Sequence, residues 1–228
     1  MEAIILAGGF GTRLSTVVKD VPKPMAPVCG KPFLEYVLDA VIAEGVHKVI
    51  LAVGYKMQTI TEHFGSSYHG VDILYSVEET PLYTGGAIKQ ALQLCDEDRV
   101  FAINGDTFFP VKLKKMREAS ENYKVPVVIA VKRMLNFSRY GNVSIDENNI
   151  VTAFNEKQFC RDGFINGGVY DLSRTVLEDC PTVFSIENDY FPALVKGRKI
   201  CAFQDDGRFI DIGIPEDYKL AQKLLAGV

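Results

Sequence analysis

A short apolar run, residues 3–6, leads straight into Leu6-Ala7-Gly8-Gly9-Phe10-Gly11-Thr12-Arg13-Leu14. A strand that ends in so many glycines must turn at once. Its backbone N–H groups stay open to close approach, because glycine carries no Cβ. A stiff basic turn follows, Pro22-Lys23-Pro24-Met25. Arg13 offers a planar fork of donors and Lys23 a compact point charge. These are the parts of a cradle for a triphosphate.

Two familiar phosphate loops do not fit. A P-loop needs a Gly-Lys-Ser/Thr ending that no glycine here supplies. The dinucleotide pattern G-x-G-x-x-G would start at Gly9 and fails at Leu14. Other chemistries are also missing their parts. No G-x-S-x-G nucleophile elbow occurs. His47, His63 and His69 have no ligand spacing. The five cysteines, at 29, 95, 160, 180 and 201, are scattered with no C-x-x-C, which argues against a disulfide framework or zinc cluster. A net charge of −4 does not suggest a nucleic-acid or anionic-membrane surface. No apolar run is long enough to span a bilayer, and Met1-Glu2-Ala3 lacks the basic start of a secretory signal. A cytoplasmic location is the expectation.

The first half alternates strand and helix patterns. Apolar runs at 49–53, 71–75 and 100–103 read as strands. Phe33, Leu34, Val37, Leu38, Val41 and Ile42 recur at helical spacing, with Gly45 where a helix would stop. Residues 58–64 and 87–94 read as further helices. That rhythm predicts an α/β fold: a Rossmann-like, mostly parallel sheet flanked by helices. The second half has short strand candidates at 127–131, 142–145, 151–154 and 165–170. They predict a smaller antiparallel lobe, with a closing helix over 216–225 after Pro215. No linker divides the 228 residues, so one domain is expected, with 1–110 mainly binding nucleotide and 111–228 mainly binding sugar phosphate.

Ligands in such sheets sit beyond the carboxyl ends of the strands. Asn104-Gly105-Asp106 falls at that edge, and so does the first loop. Asp106 reads either as turn chemistry or as a metal ligand. Asp211, in Phe209-Ile210-Asp211-Ile212-Gly213, is a strand-end residue, a helix cap, or a charge that needs a cation. If the two carboxylates meet, they form a site for Mg²⁺ whose other positions suit water and phosphate. In the second half, Asn and Glu side chains suit sugar hydroxyls, and Lys157 suits a phosphate.

The combination resembles the sugar-phosphate nucleotidyltransferases, through Leu6 to Leu14 followed by Pro22-Lys23-Pro24-Met25. The resemblance runs the length of the chain. It implies that Leu6, Ala7, Gly8, Gly9, Gly11, Thr12, Arg13, Lys23, Glu78, Thr84, Gly85, Gly105 and Asp106 bind the nucleotide. It further implies that Tyr140, Gly141, Glu156, Lys157, Asn166 and Gly167 bind the sugar phosphate, and that Asp106 and Asp211 hold Mg²⁺. Particular stretches, such as Asn104-Gly105-Asp106-Thr107-Phe108-Phe109, are most similar to the branch that joins GTP to a heptose 1-phosphate. A hexose 1-phosphate with GTP, CTP, UTP or dTTP is the alternative. Two residues depart from the wider family: Gln158 replaces a proline, and Tyr83 replaces the glycine before Thr84. The chain ends soon after the closing helix, so the β-helix of many relatives, and its acyltransferase activity, are not expected.

The implied reaction is attack of a sugar 1-phosphate oxygen on the α-phosphorus of an NTP, with pyrophosphate leaving. A phosphate monoester is largely ionised at neutral pH, its second pKa lying near ~6, so no general base is needed. Arg13 and Lys23 would be catalytic by neutralising charge. A non-catalytic nucleotide sensor is the rival reading, and it would be expected to lack these charged groups. A homodimer is the default expectation for a soluble enzyme.

Overall fold

A computed structural model describes residues 1–9, 14, 17, 18 and 20–227. Its strands, in chain order, are β1 (Glu2–Leu6), β2 (Pro27–Val28), β3 (Lys31–Pro32), β4 (Lys48–Val53), β5 (Ser67–Tyr68), β6 (Val71–Val77), β7 (Arg99–Asn104), β8 (Thr107–Phe108), β9 (Val127–Phe137), β10 (Gly141–Ile145), β11 (Val151–Lys157), β12 (Cys160–Ser173), β13 (Ile200–Gln204) and β14 (Ile210–Asp211). The helices are α1 (Phe33–Ala43), α2 (Met57–Phe64), α3 (Tyr83–Ala91), α4 (Leu113–Tyr123), α5 (Phe191–Lys196) and α6 (Pro215–Leu224).

One ten-stranded sheet carries the fold. Its parallel part runs β7-β1-β4-β6, with β1 at the centre. The chain winds outward from β1 through β4 to β6, then returns to lay β7 on β1's other side. The strand order reverses at β1, and a crevice opens there beyond the carboxyl ends. The expected antiparallel strands are present, and they continue this sheet: β12 pairs antiparallel with β7, β9 with β12, and β10 with both β11 and β12. β13 then adds in parallel to β9.

Strand alternation sorts the core into two faces. Ala3, Ile5, Val49, Leu51, Phe101 and Ile103 pack with α1, α2, α4 and α6. Ile4, Ile50, Ala52, Val100 and Ala102 pack with α3 and α5 on the other side. With both faces covered, β1, β4 and β7 are apolar through their middles, as the sequence runs imply; β6, nearer the sheet edge, alternates buried Val71, Ile73 and Ser76 with exposed Asp72, Leu74 and Val77.

Several elements differ from the sequence expectation, with α5 and β13 among those not foreseen. The third helix begins at Tyr83, not at residue 87, because tertiary contacts hold its first turn. Gly85 and Gly86 both donate to the Phe184 carbonyl, at 3.0 and 3.2 Å. A Cβ on Gly85 would lie 2.2 Å from the Phe184 ring, and one on Gly86 2.2 Å from the Thr182 carbonyl. Helix α4 is not foreseen because it is mostly polar, burying only Leu113, Met116 and Ser120. β12 runs across fourteen residues because its two ends serve different partners, with a register shift between Asn166 and Tyr170.

The seam between the parallel and antiparallel parts is held by a buried charge. Asp171 on β12 is fully buried; it accepts from Arg99 Nε at 3.1 Å and Arg117 Nε at 2.9 Å. The same arginines reach the carbonyls of Val125, Asp171 and Arg99. Removing one member of such a group strands the others without partners. Asp171→Ala is expected to lower stability by about 3–5 kcal/mol in urea unfolding; a loss below ~1 kcal/mol would mean the seam does not rest on it.

Candidate active site

The carboxyl ends of β1 and β7 form the floor of a cleft of about 890 Å³. Leu6, Gly8 and Gly9 line one wall, Asn104 and Asp106 the floor, and Glu78 and Thr84 the far side. Gly8 is glycine for a steric reason: a Cβ there would lie 2.5 Å from Glu78 Oε1 and 3.3 Å from the Gly54 nitrogen. Gly105 is equally constrained, since its N–H donates to the Leu6 carbonyl at 2.9 Å and a Cβ would meet that oxygen at 2.6 Å.

Lys23 enters on a single 3₁₀ turn, Lys23–Met25, anchored by buried Pro24 and Met25. The next hairpin, β2–β3, is tied to α6. Tyr218 Oη and Gln222 Nε2 both donate to the Pro27 carbonyl, at 2.5 and 2.9 Å. The backbone N–H of Cys29 donates to Gln222 Oε1 at 2.8 Å. Lys23 and the strand that precedes α6 are therefore positioned by the same helix.

That strand, β14, carries Asp211. It pairs antiparallel with β8, setting Asp211 opposite Thr107, the neighbour of Asp106. The Ile212 N–H donates to the Asp106 carbonyl at 3.1 Å. The two carboxylates, far apart in sequence, share one ammonium: Lys23 Nζ lies 2.5 Å from Asp106 Oδ2 and 3.5 Å from Asp211 Oδ1. Burial, and then the Asp106 charge, push the Asp211 carboxyl above its ordinary range; Lys23 and the Gly213 N–H pull it back. That N–H donates to Asp211 Oδ1 at 2.6 Å, where a Cβ on Gly213 would crowd the same oxygen at 2.9 Å.

The donor set fits a hard divalent cation. Asp106 and Asp211 offer carboxylate oxygens, and a cationic group already sits between them. Among the described residues no cluster of three or more His, Cys, Asp or Glu side chains could hold a metal without outside ligands. Two carboxylates suit Mg²⁺, which keeps water and phosphate oxygens for its remaining positions.

Glu78 sits at the end of β6, its Oε2 accepting the Leu82 N–H at 3.1 Å. Burial pushes its carboxyl above the usual range. Tyr83 opens α3 in the left-handed region, at φ +58°, and is 66% exposed over the cleft. That backbone explains why a glycine is at home there in similar sequences. A tyrosine holds it at a cost of order 1–3 kcal/mol. Gly85 is buried beneath the cleft with its N–H already engaged. The Thr84 hydroxyl is engaged too, donating to Glu187 Oε2 at 2.5 Å and accepting the Ile186 N–H at 3.1 Å.

The second group of residues lies on the antiparallel side. Asn166 and Gly167 occupy the register shift of β12, where a Cβ on Gly167 would lie 2.5 Å from the Phe109 ring. Tyr140 packs edge-on against Phe209, centroids 5.6 Å apart. Burial, and then the charges of Asp211 and Asp217, raise its phenol far above the ordinary value. Gly141 faces Lys157 in the β10–β11 ladder and could not carry a Cβ, which would lie 2.7 Å from the Asn155 carbonyl. Glu156 and Lys157 are exposed at the end of β11, and no hydrogen bond or ion pair joins them to Lys23, Asp106 or Asp211. Gly11, Thr12 and Arg13 lie outside the described residues. Sequence reasoning missed Glu187 and the role of Tyr170. The side chain of Tyr170, fully buried, supports Asn166 from behind.

Comparison with known proteins agrees with this geometry. The family model described as nucleotidyl transferase matches residues 2–226. The chain is 47% identical to D-glycero-α-D-manno-heptose 1-phosphate guanylyltransferase of Aneurinibacillus thermoaerophilus, covering 99% of this chain and 98% of that one. It is 44% identical to the protein of the same name from Campylobacter jejuni, covering 96% and 97%. The crystal structure of HddC from Yersinia pseudotuberculosis complexed with GMP-PN superposes with a TM-score of 0.87 at 36% identity, covering 98% and 99%. Among the described residues no helix is long and apolar enough to cross a membrane. A glycine-lined wall, a lysine shared by two carboxylates, and matches that span nearly the whole chain lead to one statement: this chain belongs to the nucleotidyl transferase family and is an enzyme of that class.

Proposed function

We propose that the chain transfers GMP from GTP to D-glycero-α-D-manno-heptose 1-phosphate, forming GDP-heptose for a bacterial surface glycan and releasing pyrophosphate. The observation that carries this reading is Lys23 bridging Asp106 and Asp211 at the floor of the cleft. The names of the two relatives that match over nearly their full lengths supply the base and the sugar. Residues 1–110 hold the nucleotide, and 111–228 bring the sugar phosphate to it.

A phosphate oxygen of the sugar 1-phosphate attacks the α-phosphorus. The bond from that phosphorus to the bridging oxygen breaks, and pyrophosphate carries the electron pair away. Both reactants are polyanions, so the protein supplies alignment and charge neutralisation rather than a proton acceptor. Asp106 and Asp211 would hold Mg²⁺, which neutralises phosphate charge when bound. Lys23, seated between them, is placed to meet the α-phosphate. Arg13 would stabilise the leaving pyrophosphate, Lys157 would receive the sugar phosphate, and Asn166 and Glu156 would take sugar hydroxyls. Glu78 accepts the N1–H and N2–H₂ donors of guanine, while the Gly8-Gly9 backbone leaves room for the phosphates.

Pyrophosphate release measured with Mg²⁺ across a panel of nucleotides and sugar 1-phosphates tests the whole reading. GTP with the heptose 1-phosphate is expected to give the highest kcat/KM. A faster hexose 1-phosphate would replace the sugar, and silence with every pair would favour a nucleotide sensor. Lys23→Ala and Arg13→Ala are each expected to lower kcat by roughly 10²–10³; near-normal turnover would remove the residue from its role. Asp106→Asn should shift the Mg²⁺ titration to higher concentration, and an unchanged titration would take Asp106 out of the metal site.

Glu78 can accept from guanine only as a carboxylate. Because burial raises its pKa, protonation sets in at a higher pH than for an ordinary glutamate. The kcat/KM for GTP should therefore fall as pH drops through that raised value and be complete above it. In Glu78→Gln this acid limb should vanish, with weaker GTP use at neutral pH. If the limb persists unchanged, Glu78 does not read the base.

A further inference from the structure

Residues 185–190 form a wide, π-type turn, Ile186–Tyr190, ahead of α5. Such turns are rare, and they concentrate at functional sites. This one is capped without help from Glu187. Ser185 Oγ accepts the Asn188 N–H at 3.2 Å, and the Ser185 N–H donates to Asp189 Oδ2 at 2.7 Å. Glu187 instead turns inward. Its Oε2 accepts from the Thr84 hydroxyl at 2.5 Å and the Ser185 hydroxyl at 3.1 Å; its Oε1 accepts from the Tyr170 hydroxyl at 3.1 Å. No cation among the described residues forms an ion pair with it.

A carboxylate can only accept, so it dictates the direction of every hydroxyl around it. Tyr170 Oη must donate to Glu187. Its lone pair is then turned to Asn166 Nδ2, which donates to it at 3.0 Å. That leaves Asn166 Oδ1 for the Gly168 N–H, also at 3.0 Å. The amide of Asn166 is thereby locked in one of its two orientations. In the other direction, Thr84 Oγ1 must donate to Glu187. Its lone pair then takes the Ile186 N–H at 3.1 Å, pinning the first turn of α3. The helix N-terminus favours a negative charge beside it. Tyr170 is fully buried, so it reaches neither substrate; it only transmits.

We propose that Glu187 is a positioning residue whose charge sets the polarity of a Thr84–Glu187–Tyr170–Asn166 chain, and so couples the nucleotide side of the cleft to the sugar-phosphate side. This rests on the substrate assignment above. Filling one side stiffens the shared carboxylate and favours filling of the other, and such coupling must be reciprocal. Hydroxyls bonded to a charged acceptor are among the stronger hydrogen bonds, which makes the chain able to carry it.

The test is steady-state pyrophosphate release in the full-length enzyme, varying each substrate in turn, with thermal unfolding recorded for every variant. Tyr170→Phe, on the sugar side, is expected to raise the KM for the nucleotide. Thr84→Val, on the nucleotide side, is expected to raise the KM for the sugar phosphate. Each cross effect should be about 3–10-fold, in the range of ordinary coupling between sites. Thr84→Ser should restore the wild-type KM for the sugar phosphate. The double variant should show less than the product of the two single effects, and in Glu187→Ala neither substitution should add a cross effect. Glu187→Gln, which keeps the shape and loses the fixed polarity, covers the case in which Tyr170→Phe fails to fold, and should raise both KM values. If each substitution moves only the KM of its own side, or the effects simply multiply, or Glu187→Gln leaves both KM values unchanged, the coupling is wrong while the transferase reading stands. A wild-type enzyme that releases no pyrophosphate with any pair would remove both.

Discussion

The structure depends on one ammonium held between two carboxylates. Lys23, Asp106 and Asp211 come from three segments that share no secondary-structure element, and Lys23 brings them to a common point at 2.5 and 3.5 Å. At an effective dielectric of about 20, opposite charges ~4 Å apart attract by about 4 kcal/mol, and desolvation offsets much of that. The attraction matters less as stability than as neutralisation. Without a cation between them, Asp106 and the more buried Asp211 would repel; burial first, and then the Asp106 charge, raise the Asp211 carboxyl. The backbone has invested accordingly: the β8–β14 ladder sets the register, Gly213 leaves room for its N–H to reach Asp211, and α6 ties down the hairpin behind Lys23.

Much of this was legible in the sequence. The central parallel strands read plainly because, buried on two faces, they run apolar through their middles. The structure gathers Leu6, Gly8, Gly9, Lys23 and Asp106, all singled out in the sequence, around one cleft, with Asp211 reaching Lys23. What could not be read depended on contacts made at long range. The start of α3 at Tyr83 contradicts local propensity, since two glycines are poor helix formers, and the turn is held by the Phe184 carbonyl and by the bonds of the Thr84 hydroxyl. Helix α4 hides its burial in three residues. Glu187 sits in a segment with no recognisable motif, and nothing nearby announces that its carboxylate faces Thr84 and Tyr170.

The two halves of the cleft differ in how they are built. The side proposed for the nucleotide is shaped by absences, with Gly8 and Gly105 sitting where any Cβ would collide with a wall. The side proposed for the sugar is shaped by the register shift of β12 between Asn166 and Tyr170, where the strand, paired with β9 before and after the shift, passes from β10 to β7 along its other edge. Asp171 and its two arginines hold that crossing a few residues further on. Irregular backbone at the site is thus supported by a buried ionic anchor next to it, and a fault in the anchor would be felt as a misplaced Asn166.

The spacing of the triad has a consequence for biosynthesis. During translation the chain emerges from its amino end, and Lys23 and Asp106 leave the ribosome well before Asp211. The parallel strands β1, β4, β6 and β7 all precede residue 105, so their pairing does not wait for Asp211. The β8–β14 ladder cannot form until residue 211 is free. The pairing of the two carboxylates therefore depends on the late segment of the chain, with β14 beside β8 and α6 against the hairpin behind Lys23.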